Sequence, residues 1–300
     1  MLQLNNPYVA GRPIQGAEMF FGREDIFEFI KQRLAGGPQD NIIILHGQRR
    51  TGKTSILYQM HRRVDPRYLC VFVDLQALDL NGLDKFLREL AYRVASSLQR
   101  DYGVRVPSID EEQLAEHPRT YFRDRFLDSV WSAIGDHRLL LMLDEVARIQ
   151  EQVQAGNLGR DVFEYLRHLM QHYGQLNFLF SLISGFEEPE REYANLLGVG
   201  LYKPVSFLSR TAAEALVTQP VEGVYTVEPA ALDHVLRLTS CHPYYTQLVC
   251  QCLFAHCQHN GLTSVQTQVI EAVVDEAVEL GQPNIKFVWE EATPGEKAVL

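Results

Sequence analysis

Hydrophobic positions along the chain follow two rhythms. Five short, continuous apolar runs, Asn41–His46, Leu69–Leu75, Arg138–Leu143, Leu176–Ile183 and Leu201–Phe207, read as strands buried on both faces, since a strand with one wet face would alternate. Between them the apolar residues step by three and four. Leu83, Phe86, Leu87, Leu90 and Val94 form one such stripe, Phe122, Phe126, Val130 and Ile134 a second, and Phe163, Leu166 and Met170 a third within Asn157–Tyr173. Strands alternating with helices predict right-handed crossovers and a mostly parallel sheet in an α/β fold. The polar interval Gly103–Pro118 reads as a surface excursion.

After Phe207 the strand rhythm stops. Ser209–Thr218, Glu228–Leu238, Pro243–His259 and Thr263–Leu280 read as helices, separated by turn residues such as Pro220, Gly223 and Gly261. This predicts a core over 1–208 and a small all-helical lid over 209–281. Gly281–Glu291 reads as a linker, and Thr293-Pro294-Gly295-Glu296 as a capped helix start. A helix begun four residues before the last one suggests a fragment of something longer.

Composition narrows the partners. A chain of 300 residues, 46% hydrophobic and 22% charged, is ample for a sizeable core. The net charge of −10 argues against a surface built throughout for nucleic acid. Residues 1–208 carry 24 basic and 27 acidic side chains against 4 and 11 in 209–300, so the C-terminal third is the acidic part. No basic stretch leads into an apolar run at the start, and runs such as Leu139–Leu143 are far too short to span a membrane. Five cysteines, an odd number, point to reduced thiols in a cytoplasm. Cys252, His256 and His259 share one helix face and could ligate zinc, with Cys250 and Cys257 nearby. The absence of a CxxC spacing favours the other reading, small thiols filling a buried face.

One motif carries chemistry. The run Asn41–His46 leads directly into Gly47-Gln48-Arg49-Arg50-Thr51-Gly52-Lys53-Thr54, and Ser55–Met60 continues as a helix. A GxxxxGK[ST] pattern between strand and helix is the context of a phosphate-binding loop. Its glycines let successive amides converge on an anion, and the helix that follows adds unpaired N–H groups and the positive end of its dipole. Lys53 supplies a cation for the β- and γ-phosphates and the Thr54 hydroxyl a magnesium ligand. The candidate contacts are Gly47, Gln48, Arg50, Thr51, Gly52, Lys53, Thr54 and Ser55. For Arg49 and Arg50 three roles stay open: solvation, a touch on a neighbouring element, or the γ-phosphate.

A second signal lies about 90 residues on, where the apolar run Leu139–Leu143 ends in Asp144-Glu145. In P-loop ATPases such an aspartate holds magnesium and an acidic neighbour orients the attacking water. Asp144 with Thr54 is therefore the candidate magnesium pair, and Glu145 with Lys53 the candidate catalytic pair.

With these motifs the chain resembles the STAND and archaeal-type branch of AAA-like P-loop ATPases, in the additional-strand (ASCE) division and related to NACHT and apoptotic ATPases. Asn6-Pro-Tyr-Val9 and Phe20-Phe-Gly-Arg-Glu24 are similar to the segment that lies against adenine in that family, which implies base-side roles for Pro7, Tyr8, Phe21, Gly22 and Arg23. Cys241-His-Pro-Tyr-Tyr-Thr-Gln247 resembles the start of the lid helix, whose proline, here Pro243, lies near the base; His242 departs from the family's glycine. The resemblance implies a three-layer α/β/α sheet of order 5-1-4-3-2. It also implies a sensor residue at the tip of Leu176–Ile183, matched by Ser184, with Ser181 as an alternative core hydroxyl. Arg148, Arg191 and Arg210 are candidates for an arginine finger, and none is assigned. The family continues into a winged helix, which Thr293–Leu300 would begin, making 282–300 a linker and truncated winged helix.

The implied activity is a slow, magnesium-dependent ATPase acting as a nucleotide-controlled switch in cytoplasmic signal transduction. ATP rather than GTP follows from the resemblance, no NKxD motif being present. Implied partners are ATP and ADP, other copies of the chain in a nucleotide-dependent way, and a protein reached through the region after residue 300; no membrane is expected. The alternative is a DNA-handling ATPase resembling replication initiators or transposon regulators, which the acidic lid weighs against. A non-catalytic binding module is opposed by the intact Lys53, Thr54, Asp144 and Glu145.

Overall fold

The computed structural model describes residues 5–36, 42–183, 198, 200–291 and 297. The chain divides into two compact units, one of Glu24–Gly47 and Ile56–Val205, the other of Met1–Arg23, Gln48–Ser55 and Ser206–Leu300.

The first unit is built on five parallel strands: β1 (Ile42–Gly47), β2 (Tyr68–Asp74), β3 (Arg138–Asp144), β4 (Leu176–Ile183) and β5 (Leu201–Pro204). Their order is β2-β3-β4-β1-β5, the expected 5-1-4-3-2 read from the other edge. Helix α1 (Glu24–Ala35), α2 (Lys53–Arg63), α3 (Leu83–Tyr102), α4 (Glu111–Glu116), α5 (Pro118–Tyr121), α6 (Asp128–Ile134), α7 (Ala147–Gln154) and α8 (Asp161–His172) fill the connections. The strands are apolar at consecutive positions because helices cover both sheet faces: Ile43, Ile44 and Leu45 are all fully buried. On one face Ile44, Val71, Leu141 and Phe178 pack with Phe86, Leu90, Val130 and Phe163 from the helices.

Two expectations for this unit need adjusting. The polar interval Gly103–Pro118 holds α4, started by Asp110, whose carboxylate accepts from the Gln113 amide at 3.1 Å. The helical stripe from Phe122 to Ile134 is interrupted, since Phe122–Leu127 winds as a π-helix.

The second unit holds α9 (Arg210–Thr218), α10 (Pro229–Thr239), α11 (Pro243–Asn260) and α12 (Thr267–Glu291). Ser209 caps α9 through the Ala212 amide, and Gly261, left-handed at φ 64°, closes α11. Strand signals were not expected here, yet β6 (Thr226–Val227) and β7 (Ser264–Val265) form a small parallel pair too short to carry a periodic pattern. The expected linker Gly281–Glu291 is instead helical, the last three turns of α12. Its breakers are overruled by packing: a Cβ at Gly281 would stand 3.2 Å from Leu248, and buried Asn284 donates to the Tyr245 hydroxyl at 2.9 Å. Pro283 removes one helical hydrogen bond without ending the helix.

The N-terminal segment, expected with the core, packs in this helical unit. The Tyr8 hydroxyl donates to the Val217 carbonyl at 2.7 Å, Asn6 Nδ2 to the Gln251 carbonyl at 2.9 Å, and the Val9 amide to Gln247 Oε1 at 3.0 Å. The helix start at Thr293–Glu296 lies outside the described residues.

Candidate nucleotide site

The loop begins where β1 runs out. After Gly47 the backbone turns through two left-handed residues, Arg50 at φ 63° and Gly52 at φ 97°, before α2 starts at Lys53. Only glycine takes the second without strain, and a Cβ there would meet nothing within 4 Å, so the inside of the turn is open. Thr51 Oγ1 and Lys53 Nζ both donate to the Gln48 carbonyl, at 2.9 and 2.8 Å, which draws the loop closed on its own first residue. The Lys53 side chain is 5% exposed, and Thr51 and Ser55 are also buried.

Arg23 organises what surrounds the loop. Gly22 and Arg23 are consecutive left-handed residues, φ 72° and 75°. From this turn the guanidinium donates to the Thr51 carbonyl at 2.7 Å and to the Phe207 carbonyl at 3.2 Å. One side chain thus joins the N-terminal segment, the phosphate loop and the start of the lid. Ser55 adds a second tie, its hydroxyl accepting from the Ile14 amide at 2.9 Å.

A narrow pocket of about 50 Å³, partly open to solvent, lies among these parts. Ile14, Met19, Phe20 and Phe21 line it from the N-terminal segment, Thr51, Gly52 and Ser55 from the loop, and Leu208, Leu216, Pro243 and Gln247 from the lid. Apolar walls with few polar groups are the usual chemistry of small-molecule sites.

His242 stands at the N-cap of α11, and its Nδ1 accepts from the Tyr244 amide at 3.2 Å. Its ring packs on Phe207 and Tyr245, with centroids 4.9 and 4.8 Å away. Burial pushes its pKa down to about 4; a backbone hydrogen bond opposes this, and the charges of Arg23 and Arg50 add to it. The imidazole is a neutral cap.

The acidic pair lies in the other unit, at the end of β3. Asp144 is 4% exposed, and its Oδ1 accepts from the Ser181 hydroxyl on neighbouring β4. The same hydroxyl accepts from the Glu145 amide at 3.2 Å, and the Ser181 carbonyl accepts from the Val146 amide at 3.2 Å. Ser181 therefore braces both acids from one position. Glu145 itself is left-handed at φ 57°, an uncommon conformation for a long side chain.

Residues 25–180 match the model of a family described as an AAA-like domain, more than half of the chain. The chain belongs to this AAA-like family. A search of curated proteins returns no match. Among solved structures it is similar to the Walker-type ATPase of Pyrococcus abyssi, at 14% identity and TM-score 0.68, over 94% of this chain and 78% of that one. ORC2 of Aeropyrum pernix, in ADPNP–ADP complexes, is 15% identical with TM-score 0.54, over 91% and 71%. Domain III of the Thermotoga maritima replication initiation protein DnaA is 12% identical with TM-score 0.53, over 89% and 98%. The shared architecture is that of P-loop ATPases.

Within this AAA-like chain the expected residues fall into groups. Phe21, Arg23, Thr51, Gly52, Ser55 and Pro243 line one pocket. Gln48 and Lys53 close the loop beside it, and Arg50 lies against Tyr244. Pro7 lines a second, neighbouring cavity with Phe21. Tyr8 is a core residue of the lid at 3% exposure rather than a wall of either cavity. Ser184 and the arginine-finger candidate Arg191 lie outside the described residues. Arg148 pairs with Glu151, and Arg210 with Glu214 and Asp233, all on the surface.

Two contributors escaped the sequence reading. Gln247 was seen only as the end of a motif, and Ser181 only as a core hydroxyl. A hydroxyl inside an otherwise apolar strand level with Asp144 was the available signal for Ser181. Burial pushes Cys250 up to about 12, and Cys252 and Cys257 to about 11, as for small thiols filling a core. Among the described residues no three His, Cys, Asp or Glu side chains gather as a zinc site. Among them, too, no helix is long and apolar enough to cross a membrane.

On the loop, the turn at Gly52 and the ammonium of Lys53 suit a polyphosphate, and the Thr54 hydroxyl is a hard oxygen donor of the kind magnesium prefers. In the other unit the Asp144 carboxylate is a donor of the same kind.

Proposed function

We propose that the chain binds ATP with magnesium at Gln48–Ser55 and hydrolyses it slowly, the bound nucleotide setting the arrangement of the lid. The observation that carries this reading is the Arg23 guanidinium, bonded at once to the phosphate loop and to the first residues of the lid beside an apolar pocket. A base in that pocket and phosphates on the loop would touch all three elements. ATP and ADP would then differ in affinity for different lid arrangements, as a switch requires.

In this reading the loop amides and Lys53 hold the β- and γ-phosphates, and Thr54 and Asp144 hold the metal. Magnesium, when bound, neutralises charge on the phosphate oxygens. Ser181 positions Asp144 and Glu145, and the Glu145 carboxylate orients the attacking water and takes its proton. Kinship with STAND and NACHT switches, self-association on ATP binding, and a signalling partner reached from the lid side belong to the same proposal.

A DNA-handling role is the second reading, supported by the replication proteins among the structural neighbours. The 11 acidic against 4 basic residues over 209–300 weigh against it, since phosphate backbones are gripped by cations. Salt-dependent binding to duplex DNA would favour it.

Calorimetric titration with magnesium ATP tests the main reading. Binding is expected in the natural protein and lost in Lys53→Ala. Glu145→Gln should keep ATP bound without turnover. Failure of the natural, folded protein to take up any nucleoside triphosphate would overturn the proposal.

A further inference from the structure

We propose that Gln247 reads the nucleobase, donating from its side-chain Nε2 to an acceptor atom on the base edge. The inference rests on the pocket being the base site of a nucleotide and goes further by naming what selects the base. Gln247 is 6% exposed and is the buried amide side chain on a wall otherwise made by Ile14, Met19, Phe20, Phe21, Leu208 and Pro243. Its orientation is fixed. The Val9 amide donates to Oε1 at 3.0 Å, so the oxygen faces the N-terminal segment and the NH₂ is the end left over.

That segment is itself held in place. One helical turn on, Gln251 Oε1 accepts from the Ala10 amide at 3.3 Å, and its carbonyl accepts from Asn6 Nδ2 at 2.9 Å. Among the described residues Nε2 makes no hydrogen bond. Two other donors by the pocket are committed, the Ile14 amide to Ser55 Oγ at 2.9 Å and the Phe20 amide to the Ala17 carbonyl at 3.2 Å. On the pocket wall this donor is left to water, and a flat heteroaromatic ring with an in-plane acceptor can replace that water while packing on the apolar walls. The atom read is an acceptor, not an exocyclic amine, and on adenine the acceptors are the ring nitrogens.

Two variants separate base reading from the tie to Val9. Gln247→Glu keeps an oxygen for the Val9 amide and replaces the donor by an acceptor; Gln247→Leu removes both. Binding of magnesium ATP and of its 1-deaza, 3-deaza and 7-deaza analogues is measured by calorimetry, with thermal melting as the folding control. Gln247→Glu should still melt as a single folded species, at a somewhat lower temperature for its buried carboxylate, and bind ATP about tenfold or more weaker. One deaza analogue should show the same loss on the natural protein and no further loss on Gln247→Glu. Equal ATP affinity in Gln247→Glu, or three analogues that all bind the natural protein as ATP does, would overturn the assignment alone. No uptake of any triphosphate by the natural protein would overturn the nucleotide reading with it.

Discussion

The guanidinium of Arg50 stands 4.1 Å from the centroid of the Tyr244 ring, joining the phosphate loop to the first turn of α11. Arg49 makes the same kind of contact one residue earlier, 4.6 Å from the Phe287 ring on α12. Of the roles open to this pair, contact with a neighbouring element is the one seen. Arg50 accepts a left-handed backbone to reach it. The phosphate loop is thus stacked on two lid helices by cation–π contacts as well as tied through Arg23.

The Arg50–Tyr244 contact should be measurable as a coupling. A partly buried cation–π pair contributes roughly 0.5–2 kcal/mol. Arg50→Ala and Tyr244→Leu should each lower the melting temperature, and the double variant should lose less than the sum of the two. A double-mutant cycle by urea unfolding checks this. Strict additivity would mean that the two side chains are neighbours without interaction.

His242 should make the lid acid-sensitive. In an unfolded chain a histidine titrates near 6.5, and here burial, against a backbone hydrogen bond and with help from Arg23 and Arg50, holds it at about 4. Between those values the unfolded chain carries a proton that the folded one refuses. This contribution is complete above pH 6.5 and is lost as pH falls toward 4, on the order of 3 kcal/mol in all. Asparagine keeps a cap acceptor without a titrating ring. His242→Asn should therefore melt with a shallower pH dependence between 7 and 5, and superimposable pH curves would remove His242 from this role.

Much of this was legible in the chain, for identifiable reasons. Consecutive apolar residues in Ile42–Leu45 and Leu139–Leu143 announced a sheet covered on both faces, and the glycines of Gly47 to Thr54 announced a tight turn between β1 and α2. Boundaries set by local chemistry were sound where nothing opposed them, as at the Ser209 cap of α9. They failed where tertiary packing decided: Gly281 and Pro283 look like breakers, but Leu248 and the Asn284–Tyr245 bond carry the helix through. The site's ties were hidden because they join distant residues. Arg23 to Thr51 and Val9 to Gln247 leave no periodic trace, and neither does the left-handed turn at Glu145.

Ser181 should matter more for turnover than for nucleotide uptake. Its hydroxyl serves the Asp144 carboxylate and the Glu145 amide together, inside a strand where it is fully buried. Ser181→Ala takes one bond from each, a loss of about 1–3 kcal/mol where a charged, buried partner is involved. Lys53 and the loop carry no bond to it among those described. The expected result is a tenfold or larger fall in ATPase rate, on the order of what a 1.4 kcal/mol change in the barrier gives, with ATP affinity within a few fold. A variant that hydrolyses ATP at the natural rate would show that Asp144 and Glu145 need no brace.

Glu145 offers a test of strain kept for chemistry. At φ 57° a glutamate pays a conformational penalty of roughly 1 kcal/mol or more that glycine would avoid. Such a residue persists only where its surroundings hold it, here through the Ser181 hydroxyl on its amide and the Val146 amide on the Ser181 carbonyl. Glu145→Gly relaxes the backbone, keeps the amide for Ser181 and deletes the carboxylate. Glu145→Gln deletes the charge and keeps the strain. Both should lose hydrolysis, but only the glycine variant should gain resistance to urea, by about 1 kcal/mol less the added flexibility of its unfolded chain. If the glycine variant proved the less stable of the two, the left-handed turn would not be a strained position, and the carboxylate would be contributing to the fold.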